Sequence, residues 1–160
     1  MFERFTNNAR LAIAIANQNA LRSGAASIND VDVLLGIIAR DRGIGAIALR
    51  DLSVDIARLK EQLERLPRQS SDGPATLNNW PVPGRLPPTP EAKLALESAI
   101  SVSKQLRHNP VGTQHLLLGL LLYPEFASVR VLSEHGISLE RAMQASLDAM
   151  NTHDGSNDDP

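Results

Sequence analysis

The chain has 160 residues, a net charge of -2 and a pI near 6.1, with no cysteine and only 3% aromatic residues. The missing cysteines exclude disulfides and thiolate metal sites and suit a reducing compartment such as the cytoplasm, while Lys and Arg are nowhere gathered into the basic stretch that a nucleic-acid partner would need. The apolar run from Leu11 to Ile15 is broken by Asn17 and Asn19, too short for a signal peptide or a membrane span, and the abundance of Ala, Leu and Ile favours packed helices over a β core.

Phe2 and Phe5 precede Thr6, a cap for the first helix. The stripe Ala9, Ala12, Ile13, Ala16 and Ala20 has helical spacing and predicts a buried face of small side chains. After the turn at residues 23–27, Asn29 or Asp30 caps a short second helix whose body, from Val33 to Ile38, is apolar all round and therefore central to its half. A third helix is predicted over residues 44–50, and a fourth runs from its cap Asp55 to Leu66, where Pro67 stops it. Residues 67–88 carry Pro67, Pro74, Pro81, Pro83, Pro87 and Pro88 among polar residues and read as an exposed linker, with Trp80 packed on the domain surface.

The plan then repeats. Thr89 is the cap, Pro90 holds the first helical position, and the stripe becomes Ala92, Ala95, Leu96, Ala99 and Ser103. A turn at residues 107–110 precedes a helix capped by Thr113 with the body Leu116 to Leu122, then helices over residues 125–134 and from Ser138 to Met150. Residues 6–64 lie over residues 89–147 without a gap, Thr6 on Thr89, Leu34-Leu35-Gly36 on Leu117-Leu118-Gly119, Leu49 on Leu132 and Arg58 on Arg141. The expected fold is all-α, two four-helix repeats related by a pseudo-twofold axis, about eight helices in total. The first repeat is assigned to residues 1–66, the linker to 67–88, the second repeat to 89–150 and a disordered polar tail to 151–160.

Candidate site residues are few. Phe2 and Phe5 form either an exposed docking rim or a staple that pins the N-terminus. Arg10 and Lys93 hold equivalent positions on the first helices, with Glu97 one turn beyond Lys93; they line a polar groove for a partner or form a solvated face with an ion pair of a few tenths of a kcal/mol. His108, His115, His135 and His153 lack ligand spacing, so no metal is expected, and His115 reads as a structural residue near a helix start. Ser133 beside His135 has no third partner, and the phosphate loop G-x-x-x-x-G-K-[ST] is absent, so neither a catalytic constellation nor a cofactor is expected.

Phe5-Thr6 with Ala9-Arg10, and later Val111-Gly112-Thr113-Gln114-His115-Leu116-Leu117-Leu118-Gly119, resemble the duplicated Clp N-terminal domain with its F-T-x-x-A-R and G-T-E-H-[IL]-L-L-G motifs. The resemblance covers about residues 1–150. It implies a non-enzymatic docking module of the Clp unfoldase and protease system, with adaptor or substrate proteins, or Clp ATPase and peptidase components, as partners. Its rivals are a stand-alone regulator or decoy without an ATPase and a small enzyme with a site between the repeats. In relatives that recognise phosphoarginine, the motif's acid meets the guanidinium. Here Val31 and Gln114 replace that acid, and Asp30 and Asp32 add negative charge, so only a weakened anion site at Thr113 and Gln114 is expected.

Overall fold

The structure, a computed structural model, describes residues 2–67 and 85–153. Among them are eight α-helices: α1 (Asn7–Arg22), α2 (Asp30–Ala39), α3 (Ile44–Asp51), α4 (Ile56–Arg65), α5 (Pro90–Gln105), α6 (Thr113–Leu121), α7 (Ala127–Glu134) and α8 (Leu139–His153). A single 3-10 turn, Phe2–Arg4, precedes α1. Thr6 Oγ1 accepts from Ala9 N–H at 3.1 Å and Thr89 Oγ1 from Ala92 N–H at 3.2 Å, so both long helices start by the same capping chemistry. Every residue of both predicted stripes is buried.

The small residues allow the central helix of each half to lie almost on the backbone of the long one. A Cβ on Gly36 would sit 2.1 Å from the Ala12 carbonyl oxygen, and one on Gly119 would sit 2.5 Å from that of Ala95. No side chain fits at either crossing. Helix α6 is buried along its whole length and α2 from Asp32 to Ile38, as their unbroken apolar bodies require.

The halves also clasp each other through their backbones. Thr6 N–H donates to the Val111 carbonyl at 2.8 Å and Val111 N–H to that of Arg4 at 2.7 Å. The mirror contact runs from Ile28 N–H to the Pro87 carbonyl at 2.8 Å and from Thr89 N–H to that of Ile28 at 2.7 Å. Each residue of one bridge is the repeat equivalent of a residue in the other, which is what a pseudo-twofold axis between the halves produces.

Several boundaries differ from expectation. Gly112, not Thr113, is the cap of α6, and Thr113 is its first residue. Helix α7 begins at Ala127 because Phe126 holds the extended cap position. Helix α8 continues through Asn151 to His153, into the segment assigned to the tail. The last linker residues belong to the fold: Leu86 N–H donates to Asn17 Oδ1 at 2.8 Å, and Pro88 is buried. The placement of Trp80 lies outside the described residues.

Turns conserve backbone shape while exchanging residue type. Gly24 has φ +72° and its equivalent Arg107 has φ +58°; Ser53 has φ +65° and its equivalent Gly136 has φ +77°. Each half thus holds one left-handed position with glycine and one without it.

Candidate functional site

The two halves cap each other's third helices. Asp30, first residue of α2, accepts from Ser128 N–H at 2.9 Å and from Ser128 Oγ at 2.6 Å, placing a carboxylate at the positive start of α7. Thr113, first residue of α6, accepts from Gly45 N–H at 2.9 Å at the start of α3. These are equivalent contacts with different chemistry. The Asp30 carboxylate, expected to crowd an anion site, is engaged by a helix start of the other half.

Around these caps the halves diverge. In the second half the end of α8 folds over the site: Ala149 and Met150 pack on Ile44 and Ile47 of α3, and Gln114 Nε2 donates to Met150 Sδ at 3.4 Å. In the first half α4 is 10 residues long against 15 for α8, and among the described residues no helix end reaches the equivalent place. The positions matching Ile44 and Ile47 are Ala127 and Arg130, both exposed. Among the described residues a groove of about 1050 Å³ remains open there between α1, α2, α4, α5 and α7.

Its floor is apolar apart from the buried Asp30, Asp32 and Thr89. Leu35, Ile38, Leu63 and Phe126 are buried beneath it, Val31 and Ile56 are half-buried on its walls, and Leu94 of α5 stands 41% exposed on its rim. Lys60, Glu64, Glu91, Glu125 and Arg130 add charges of both signs that form no ion pair among the described residues. A largely apolar floor inside a mixed polar rim is a surface that can bury apolar anchors of a partner and orient it through its charges. No group of three or more His, Cys, Asp or Glu placed to hold a metal occurs among the described residues.

Among the described residues, none of the sequence-derived candidates lines this groove. Phe5 is fully buried, so its ring is a core element and not part of an exposed rim; Phe2 lies in the 3-10 turn just before it. Arg10 is half-buried, and its Nη2 donates to the Glu3 carbonyl at 3.1 Å, holding the leading segment. Lys93 and Glu97 form an exposed pair at 3.9 Å on the face of α5 next to the one carrying Glu91 and Leu94. Thr113 and Gln114 are buried, and the Thr113 hydroxyl is already an acceptor, so an anion there would have to displace the start of α3 and the end of α8. Among the described residues Gln114 Oε1 has no hydrogen-bond partner. Ile56, Leu94 and Arg130 were not singled out in the sequence, and Val31 only as a replacement for the motif's acid; Leu94 matches Leu11 and Ile56 matches Leu139, so their place in the groove left no signal in the repeat, whereas Arg130 stands where the first half has Ile47.

His115 is the third residue of α6, and its Nδ1 accepts from Gly112 N–H at 2.8 Å. Asp32 does the equivalent for α2, with Asn29 N–H donating to its carboxylate at 3.0 Å and Asn29 Oδ1 accepting from Asp32 N–H at 2.8 Å. Burial and, second, the neighbouring His108 lower His115 to a pKa of about 3. His115 is therefore neutral and structural.

Fold and site together define a duplicated four-helix module in which, among the described residues, one of two equivalent grooves is covered and the other is open. Residues 4–80 and again 87–160 match the Clp repeat (R) N-terminal domain. The chain belongs to that family. It is 31% identical over 154 residues to the chaperone protein ClpB of Oceanobacillus iheyensis and 32% identical over 154 residues to the negative regulator of genetic competence ClpC/MecB of Bacillus subtilis. Each match covers 96% of this chain but 18% of the relative, so the chain corresponds to a small part of those proteins. Among solved structures, the N-terminal domain of the chaperone ClpD from Arabidopsis thaliana superposes with a TM-score of 0.70 at 22% identity, covering 94% of this chain and 97% of that one.

Proposed function

We propose that this Clp N-domain is a protein-docking module that receives adaptor or substrate segments in the open groove of its first half. The observation that supports the reading is a largely apolar floor between α2, α4 and α7, uncovered and rimmed by unpaired charges among the described residues, at a place where the other half covers its own. Binding without catalysis also fits a sequence that lacks a phosphate loop and any paired nucleophile and base. No helix of the described residues is long and apolar enough to cross a membrane, and a cytoplasmic Clp system is the setting we propose.

The test is binding of adaptor and unfolded substrate proteins to the purified chain, followed by mapping of the contact by amide chemical shifts. Leu94→Asp and Arg130→Glu alter exposed rim positions and should weaken binding about tenfold or more without lowering the melting temperature. Partners that bind both variants as tightly as the parent, or that shift only residues far from the groove, would overturn the assignment.

A further inference from the structure

Each nitrogen of the His115 ring has a fixed task. An amide can only donate, so the bond from Gly112 N–H leaves Nδ1 without a proton and puts the ring's hydrogen on Nε2. That Nε2 lies 2.8 Å from His108 Nδ1, which must accept. The two rings stand with centroids 5.0 Å apart, tilted by 55°. This chain of bonds closes only when both rings are neutral. A proton added to His108 goes to Nδ1 and sets two N–H groups against each other, whereas one added to His115 meets the Gly112 amide.

The pair grips the α5–α6 loop at His108 and at Gly112. Between them lies Val111, whose amide and carbonyl make the bridge to Arg4 and Thr6. His108 is half-buried and can turn to water; His115 is fully buried and cannot. Other charged groups at this end are Arg107 beside His108, Lys104 on α5, Glu3 and Arg4 on the leading segment, Arg10 on α1 and, in the turn after α2 that meets Thr113 at Gly43, Asp41, Arg42 and Arg40, which donates to Asn8 Oδ1. Among the described residues no carboxylate is hydrogen-bonded to either ring, so no anion offsets an added proton. In the first half, Ala25 takes the place of His108 and Asp32 that of His115. Carboxylates ordinarily lose their charge only near pH 4, below the imidazole range.

We propose that the His108–His115 pair is an acid-released latch on one of the two bridges between the halves. In mildly acidic solution His108 takes a proton and turns outward, the loop at residues 108–112 loosens, and the leading segment separates from Val111. The bridge of Ile28 to Pro87 and Thr89 stays closed. Burial lowers His108 as well as His115, so release falls on the acid side of the ordinary imidazole range.

Hydrogen exchange of the whole chain at pH 7 and pH 4.5, corrected for intrinsic rates, tests the latch. The Thr6 and Val111 amides should lose at least about tenfold protection relative to Ile28 and Thr89. His108→Asn supplies an acceptor that does not titrate and should abolish the difference. Equal changes at both bridges, or an unaltered response in His108→Asn, would overturn the proposal. Ring nitrogen shifts at pH 7 give a second reading: a proton on His115 Nδ1 would contradict the bonding pattern on which the latch depends.

Discussion

Helices α2 and α6 begin alike, each with an inward-turned third residue and a first residue that caps a helix of the opposite half, yet one ends up beneath a groove and the other beneath a helix end. The difference arises outside the shared framework. It comes from the five residues by which α8 outlasts α4 and from Ile44 and Ile47 standing where Ala127 and Arg130 stand in the other half. Duplication preserved the supports of two sites, and a few flanking side chains determined which stayed open.

The largest effect should come where the halves are most alike. Gly36→Ala and Gly119→Ala each drive a methyl group into backbone, and each should cost about 3 kcal/mol or more, measured by denaturant unfolding. Tolerance of one and not the other would show that the two helix crossings are not equivalent. The neighbouring Ala12→Leu and Ala95→Leu overpack the same contacts and should cost roughly 1–3 kcal/mol each.

Acid should separate the halves next. The folded pKa of His115, about 3, lies below its unfolded value near 6.5, so the unfolded chain takes the proton first. Its contribution is fully present above about pH 6.5, is lost as pH falls toward about 3 and is constant below that, a total on the order of a few kcal/mol. Urea unfolding at several pH values should show a steeper loss for the parent than for His115→Asn.

Equivalent positions in the covered and open grooves should respond in opposite ways. Ile47→Ala empties a buried contact with the α8 end and should cost about 2–4 kcal/mol, while Arg130→Ala at the matching exposed place should stay within about 0.5 kcal/mol. Thermal melts of the two variants decide it. The smallest effects belong to the turns: Ser53→Gly and Arg107→Gly relieve left-handed strain and should stabilise by up to about 1 kcal/mol, with Gly24→Ala and Gly136→Ala destabilising by a similar amount.

The framework was legible because it follows local rules. Thr6 and Thr89 cap where they should, the alanine stripes have helical spacing, and the gapless repeat implied the axis that the paired bridges display. What escaped depends on contacts across the repeats. Alignment pairs Asp30 with Thr113 but does not reveal that Asp30 reaches Ser128 or that Thr113 reaches Gly45. The sequence left Phe5 between an exposed rim and a staple; its full burial excludes the rim, and the bridge beside it to Val111 ties it to the other half. The groove was not legible because it depends on a contact across the repeats: Ala149 and Met150 lie within the expected helix, but that they pack on Ile44 and Ile47 of the other half leaves no mark in the sequence.

The two backbone bridges carry a further consequence. They are two images of one isologous contact, the kind that joins identical subunits across a twofold axis. A half-chain carrying both partners of the contact has the groups needed to bind a copy of itself, and its assembly would then depend on concentration. Joining the halves in one polypeptide makes that association intramolecular and independent of dilution. It also binds their fates: Thr6 and Thr89 lose their partners together when either half opens, so the chain should unfold in a single transition.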